Sequence, residues 1–330
     1  MPMNDSSYTP QVSILMAAYN ASAYLEDALQ SVLRQTFSGW ELLCVDDASK
    51  DCTREILRRH AASDSRIRVF HKDKNEGQAV ARNEALMQAR GDIIMMLDAD
   101  DWLSDDCLES VAGCFSGQTD CVVLRLMEHY SQDGKEQMYA IPYNEDDVVS
   151  GYEAFVASLD WRLHGLYAVR RDIHLRYPYD TSCHLYSDDN TTRLHYLHSR
   201  EVRFCSGTYY YRKHGESCTN SISPDRFLYM LANLSMRNTL IEEGVPQAIL
   251  DRYESHRWLN YIDQLWLYSR YKRQFTKQER QRIEWNFRSV YASFSGLPVP
   301  MKFGYTRLAD YRLFLLQEWL YFGLRKLMGR

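Results

Sequence analysis

Short apolar runs separated by helical periodicity set the pattern of the first hundred residues. Val12–Ala18, 41–45, Ile67–His71 and 93–97 are each five to seven mostly apolar residues long, which is the signature of strands buried on both faces. Between the first two, Leu25, Ala28, Leu29, Val32 and Leu33 recur at three- and four-residue steps. That spacing predicts a helix over 23–35 with Ser22 as its N-cap. Further helices are expected over 54–62 and 79–89, the second entered past Gly77 and closed by Gly91. Strands alternating with helices of this length predict an α/β fold with a doubly wound, mostly parallel sheet.

Beyond residue 101 the pattern is less regular. It predicts a helix over 107–115, a strand over 120–127 with a hairpin partner at 137–141, an acidic loop over 144–149 and a strand over 166–170. A helix from Asn190 and two short strands, 202–205 and 208–212, complete this part. After Pro224 the strands stop. Helices are expected over 226–243, 247–274, from the capping box Thr276-x-x-Glu279, and over 308–327. The chain therefore divides into an α/β domain over 1–220 and a C-terminal helical extension over 221–330.

Composition narrows the class. The 330 residues are 45% hydrophobic and 25% charged, as expected of a globular chain, and the formal charge of −5 speaks against a nucleic-acid binder. No run of about 18 apolar residues is present, so no membrane span is expected. The opening decapeptide is polar, and the eight cysteines show no Cys-x-x-Cys pair. Free thiols and a cytoplasmic location follow as expectations. Within 301–330, six basic residues stand against two acidic ones, although the whole chain is acidic. Such a helix suits either a peripheral place on an anionic membrane or a dock on its own domain.

Acidic residues close the predicted strands. Asp46-Asp47 follows the second, Asp98-Ala99-Asp100-Asp101 follows the fourth, and Asp188-Asp189 precedes a helix. Ligands of open α/β sheets sit at the carboxyl ends of the strands, and carboxylate oxygens there suit Mg²⁺ or Mn²⁺. The plainer alternative is that each cluster caps a helix. The first strand–helix turn, Ala18 to Ala23, lacks Gly-x-Gly-x-x-Gly, which counts against NAD or FAD, and no Gly-Lys-Ser/Thr loop for a nucleoside triphosphate occurs.

These residues carry a resemblance. Val12-Ser13-Ile14-Leu15-Met16-Ala17-Ala18-Tyr19-Asn20, Trp40-Glu41-Leu42-Leu43-Cys44-Val45-Asp46-Asp47-Ala48-Ser49, Ala81-Arg82-Asn83 and Leu97-Asp98-Ala99-Asp100-Asp101 together resemble family 2 glycosyltransferases of the GT-A fold, a Rossmann-like nucleotide-sugar-binding fold. The resemblance covers roughly 12–115; Asp188-Asp189 and Tyr211-Arg212-x-His214-x-x-Ser217, in the acceptor half, match more loosely. It implies inverting transfer of a sugar from a nucleotide donor, usually a UDP-sugar, with Mn²⁺ or Mg²⁺. Carried over, Tyr19 stacks on the base, Asp47 accepts the uracil N–H, Asp98 faces the ribose and Arg82 helps hold the nucleotide. Asp100 binds the metal, His214 touches metal or diphosphate, and Asp189 is the catalytic base. Asp188 stands where the family more often has Glu. The implied acceptor is a hydroxyl of a glycan or lipid-linked saccharide in surface-polysaccharide synthesis, and the extension is expected to contact acceptor, membrane or a second copy. Two rivals are a catalytically silent nucleotide-sugar-binding scaffold and a sugar nucleotidyltransferase; the latter would want a Gly-rich basic loop after the first strand.

Overall fold

Hydrophobic runs this short cannot bury themselves as helices, but side by side they make the floor of a sheet. In the computed structural model, which describes residues 9–181, 186–214, 222–294 and 311–327, the chain falls into two compact units, 1–220 and 221–330. The first unit runs β1 (Val12–Ala18), α1 (Leu25–Leu33), β2 (Trp40–Asp46), α2 (Thr53–Ser63), β3 (Ile67–His71), α3 (Gln78–Gln88), β4 (Ile93–Met96) and β5 (Trp102–Leu103). It continues with α4 (Cys107–Cys114), β6 (Thr119–Tyr130), β7 (Lys135–Met138), β8 (Val148–Ser150), α5 (Gly151–Ser158), β9 (Tyr167–Arg170), α6 (Arg171–Arg176), α7 (Ser187–Leu197) and β10 (Glu201–Lys213).

One sheet takes the order β3-β2-β1-β4-β9-β6-β10-β5, with β7 beside β6 and β8 beside β10. Strands β3, β2, β1 and β4 are parallel, as expected of strand–helix repeats; β9 runs antiparallel between β4 and β6, and β5, β7 and β8 are also antiparallel to their partners. The sheet is thus mixed rather than parallel throughout. Val12 of β1 lies opposite Trp40 on one side and Ile93 on the other, so the three parallel strands start in register, and the acids that follow β2 and β4 lie towards the same edge of the sheet. Leu25, Leu29 and Val32 of α1 share one buried core with Ile14, Met16 and Leu42 of the sheet. The described cysteines, 44, 52, 107, 114, 121 and 205, are all free thiols.

Several expectations are corrected. Helix α1 begins at Leu25, and Ser22 does not cap it: the Ser22 amide donates instead to Asp51 Oδ2 at 3.0 Å, tying two loops together. Residues 102–103 form a short strand that the sequence pattern does not indicate, and the presumed loop 144–149 contains the start of β8. There Ser150 and Glu153 form a capping box that opens α5, a local signal in the sequence. The two strands at 202–205 and 208–212 are one, β10, with a bulge between Phe204 and Thr208. The apparent break at Gly207 reflects close approach: a Cβ there would stand 2.9 Å from the carbonyl oxygen of Cys107 in α4. Helix α7 begins at Ser187, which puts Asp188 and Asp189 inside its first turn, where acids suit the helix dipole.

The second unit is helical: a 3₁₀ turn, Pro224–Leu228, then α8 (Tyr229–Glu242), α9 (Gln247–Tyr271), α10 (Lys277–Ala292) and α11 (Tyr311–Leu327). The Thr276–Glu279 capping box forms as expected, with the Glu279 amide donating to Thr276 Oγ1 at 3.3 Å and the Thr276 amide to Glu279 Oε2 at 2.7 Å. Its core is aromatic, with Phe227, Trp258, Tyr261, Phe287, Tyr291 and Phe314 buried together. The expected start of the last helix, 308–310, lies outside the described residues.

Candidate active site

The first two strand ends are stitched to each other before any ligand is considered. Asn20 and Ala48 take left-handed φ values of +50° and +65° to turn the chain out of β1 and β2. The Asn20 amide donates to Ser49 Oγ at 3.0 Å, the Lys50 amide to Asn20 Oδ1 at 2.8 Å, and the Ala21 amide to Thr53 Oγ1 at 2.8 Å. Tyr19 stands exposed at the head of this paired loop, available to a planar partner.

The two acids that close β2 have separate jobs. Asp46 is buried and fixed by Arg54 Nε at 2.8 Å, with His71 Nδ1 at 3.2 Å, so it anchors the sheet edge. Asp47 accepts the Glu76 amide at 2.9 Å and the Gly77 amide at 2.8 Å. Gly77 has φ of +91°, a conformation most side chains disfavour, and it turns the chain into α3. Asp47 therefore holds the start of α3 while sitting one residue beyond the β2 end, next to the Tyr19 loop.

At the end of β4, ligand oxygens of Asp98, Asp100 and Asp101 all lie within 4.8 Å of one another. Three carboxylates so close repel, and the protein spends other groups to keep them together. Tyr209 Oη donates to Asp101 Oδ2 at 2.8 Å, and the Arg212 amide donates to Asp101 Oδ1 at 2.7 Å. Arg212 Nε donates to the Asp100 carbonyl at 2.8 Å, its Nη2 reaches Asp27 of α1 at 2.8 Å, and its plane lies over the rings of Trp102 and Tyr24. His214 Nε2 lies 3.0 Å from Asp100 Oδ2, and its ring packs against Tyr24. Even so, burial, helped by the charge of Asp98, raises the pKa of Asp100; burial and the charges of Asp100 and Asp98 raise that of Asp101 well above the usual range.

This frustration is the test of fit for a divalent cation, and the residues pass it. Oxygen donors with one imidazole are a donor set for Mn²⁺ or Mg²⁺, and a positive ion would relieve the repulsion that otherwise favours protons. With both oxygens of Asp101 engaged, Asp100 and His214 would be the residues to hold such an ion.

Arg82 links this cluster to the third pair of acids. It is buried in α3 and forms an ion pair with Asp98. Burial alone would depress its pKa, but Asp98, Tyr179 and Asp188 outweigh that and raise it. Its neighbour Asn83 fastens the approach to α7: Asn83 Nδ2 donates to the Tyr179 carbonyl and the Tyr179 amide donates back to Asn83 Oδ1, both at 2.9 Å. Asp189 is poised differently from the other acids. Burial and the adjacent Asp188 charge push its carboxyl up to about 7, against the opposing pull of Arg193.

The structure thus brings Arg82, Asp98, Asp100 and His214 together, sets Tyr19 and Asp47 on the neighbouring strand ends, and joins Asp188 to the group through the field on Arg82. Sequence reasoning left out Tyr209, Arg212 as a strut, and Asn83. Tyr209 carried no local signal, since its partner Asp98 is 111 positions away in sequence. Gly215–Ser217, the end of the loosely matched acceptor segment, lies outside the described residues.

A mixed sheet with its acids at one edge and an Asp-x-Asp pair after the fourth strand is the arrangement of the GT-A fold. Residues 13–167 match the family model "Glycosyl transferase family 2". A solved structure of S. aureus TarS 1–349 in complex with UDP-GlcNAc is similar over 86% of this chain and 80% of that one, with a TM-score of 0.64 at 17% identity, a likeness of fold. The putative teichuronic acid biosynthesis glycosyltransferase TuaG of Bacillus subtilis (strain 168) is 44% identical over 104 residues, covering 32% of this chain and 41% of TuaG. The Escherichia coli UDP-Glc:alpha-D-GlcNAc-diphosphoundecaprenol beta-1,3-glucosyltransferase WfgD is 45% identical over 96 residues, covering 28% of this chain and 37% of WfgD. The chain spans less than half the length of these two curated relatives. Among the described residues, no helix is long and apolar enough to cross a membrane.

Proposed function

We propose that the protein transfers a sugar, with inversion, from a UDP-sugar to a hydroxyl of a glycan or lipid-linked saccharide in the cytoplasm during surface-polysaccharide synthesis. The observation that carries the reading is the division of labour among the acids. Asp98, Asp100 and Asp101 crowd together as a cation site, whereas Asp189 stands on another element with its carboxyl raised to about 7. The names of TarS and WfgD support a UDP-sugar donor, that of WfgD a lipid-linked saccharide acceptor, and that of TuaG a part in surface-polysaccharide synthesis.

In this reading Tyr19 stacks on the base and Asp47 accepts from it, while Arg82 and Asp98 fix the nucleotide. Asp100 and His214 would hold a Mn²⁺ or Mg²⁺ ion, which would supply charge stabilisation for the departing diphosphate. Asp189 takes the proton of the acceptor hydroxyl as that oxygen bonds to the anomeric carbon and the bond to UDP breaks. A carboxyl poised near neutrality is suited to this: deprotonated often enough to act, yet basic enough to draw the proton. One displacement needs no covalent enzyme intermediate, so inversion follows.

The experiment is UDP release from a panel of UDP-sugars with polyprenyl-diphosphate-linked saccharide acceptors, run beside Asp189→Asn. Turnover that vanishes in the variant while UDP binding persists is the expected result. Acceptor-dependent turnover that survives Asp189→Asn overturns the assignment of the base.

A further inference from the structure

The last helix of the second unit has two apolar faces, and only one is used. On α11, Phe314 is completely buried, 4.7 Å from the Tyr291 ring centroid and 5.8 Å from that of Trp258, and Tyr311 and Leu315 pack beside it. Leu313, Leu316, Trp319 and Leu320 face away from that core, each at least half exposed, and Trp319 is 70% exposed. Four large apolar side chains within eight residues form a patch, whereas isolated exposed apolar residues are ordinary. The spacing continues in the sequence to Leu324 and Leu327.

Charge indicates what covers the patch. Lys302, Arg307, Arg312, Arg325, Lys326 and Arg330 face only Asp310 and Glu318 across 301–330, in a chain whose formal charge is −5. Arg312 is exposed at the start of the apolar face. A segment that is basic in sequence within an acidic protein, and that carries an exposed apolar stripe, matches a surface both anionic and apolar beneath. An exposed tryptophan suits the headgroup boundary. A second copy of this chain would present the same basic surplus to itself.

We propose that the Leu313–Leu316–Trp319–Leu320 face of α11 lies in the headgroup–acyl boundary of an anionic lipid bilayer, with the helix in the membrane plane. The helix stays docked on its own unit through Phe314, so binding needs no unfolding. The inference stands apart from the donor site and does not depend on it.

The test is co-sedimentation of the full chain with vesicles of phosphatidylethanolamine and phosphatidylglycerol, compared with phosphatidylcholine alone. Wild type is expected to pellet with the anionic vesicles and to be released by salt. Leu316→Glu combined with Trp319→Glu should lower the partition coefficient at least about tenfold without changing the helical circular dichroism. Trp319→Phe should keep binding but lose part of the fluorescence quenching by brominated lipids. Equal pelleting of wild type and the double variant, or no pelleting of wild type, overturns the proposal. A wild-type dimer that the double variant turns into a monomer, with no vesicle binding by either, assigns the face to a second copy instead.

Discussion

Tyr209 donates its hydroxyl to Asp101 at 2.8 Å and, through the same oxygen, accepts the amide of Asp98 at 3.1 Å. One phenol from β10 thereby fixes both ends of the acidic turn after β4. The turn holds like charges together, so its geometry has to be imposed from outside, and Tyr209 does so from a fully buried position.

Tyr209→Phe removes both bonds with little change of volume. Leaving the buried Asp101 carboxylate short of a donor is expected to cost about 1–3 kcal/mol of stability. Loss of an orienting partner behind a metal site is expected to weaken Mn²⁺ binding about 10–100-fold. A thermal melt and a Mn²⁺ titration check this; unchanged Mn²⁺ affinity would show that Asp101 does not orient the site.

Asp189→Asn carries two opposite effects. Transfer by the wild type should rise with pH through about 7 as the carboxyl loses its proton, and the variant should lose a factor of about 10²–10⁴. Because the folded carboxyl binds its proton more tightly than the unfolded one, wild-type stability falls as pH climbs from about 4 to 7. Asparagine escapes that cost, so at pH 8 the inactive variant should be the more stable by about 2–4 kcal/mol. Melts at pH 5 and pH 8 measure the difference, and equal gaps at the two values would exclude a raised Asp189.

Asp188→Asn tests the neighbour. The Asp188 charge helps raise the Asp189 carboxyl, so its removal should move the acidic limb of the pH–rate profile to lower pH. A limb that stays in place or moves up contradicts that coupling.

Asp47→Ala frees the amides of Glu76 and Gly77, the entry to α3. An expected loss of about 1–3 kcal/mol in stability should accompany weaker UDP binding. Calorimetry separates the two; full UDP affinity in the variant would leave Asp47 with a purely structural role.

The parts of this account legible in the sequence are those encoded locally. Strands β1, β2 and β4 are buried on both faces, so unbroken apolar runs mark them, and the acids at their ends are neighbours in sequence. The capping box at Thr276 is equally local. What the sequence hid depends on pairing between distant segments. Trp102 and Leu103 count as a strand because Tyr210 and Tyr209 lie opposite them. Strand β10 stays whole through its bulge because β6 runs beside it. Nothing in the sequence names partners for Arg212, and Asp27, Asp100, Tyr24 and Trp102 surround it only in the fold. Periodicity misplaced the start of α7 for a related reason: its first turn is polar, and the apolar rhythm begins only at Leu194.

The measurement that bears most directly on the donor site is calorimetric titration of the protein with UDP, with and without Mn²⁺, for wild type, Asp100→Ala and Asp189→Asn. The account predicts tight binding that needs Mn²⁺ in the wild type, persists in Asp189→Asn and is lost in Asp100→Ala. UDP binding indifferent to both Mn²⁺ and Asp100, or no binding of UDP at all, would contradict it.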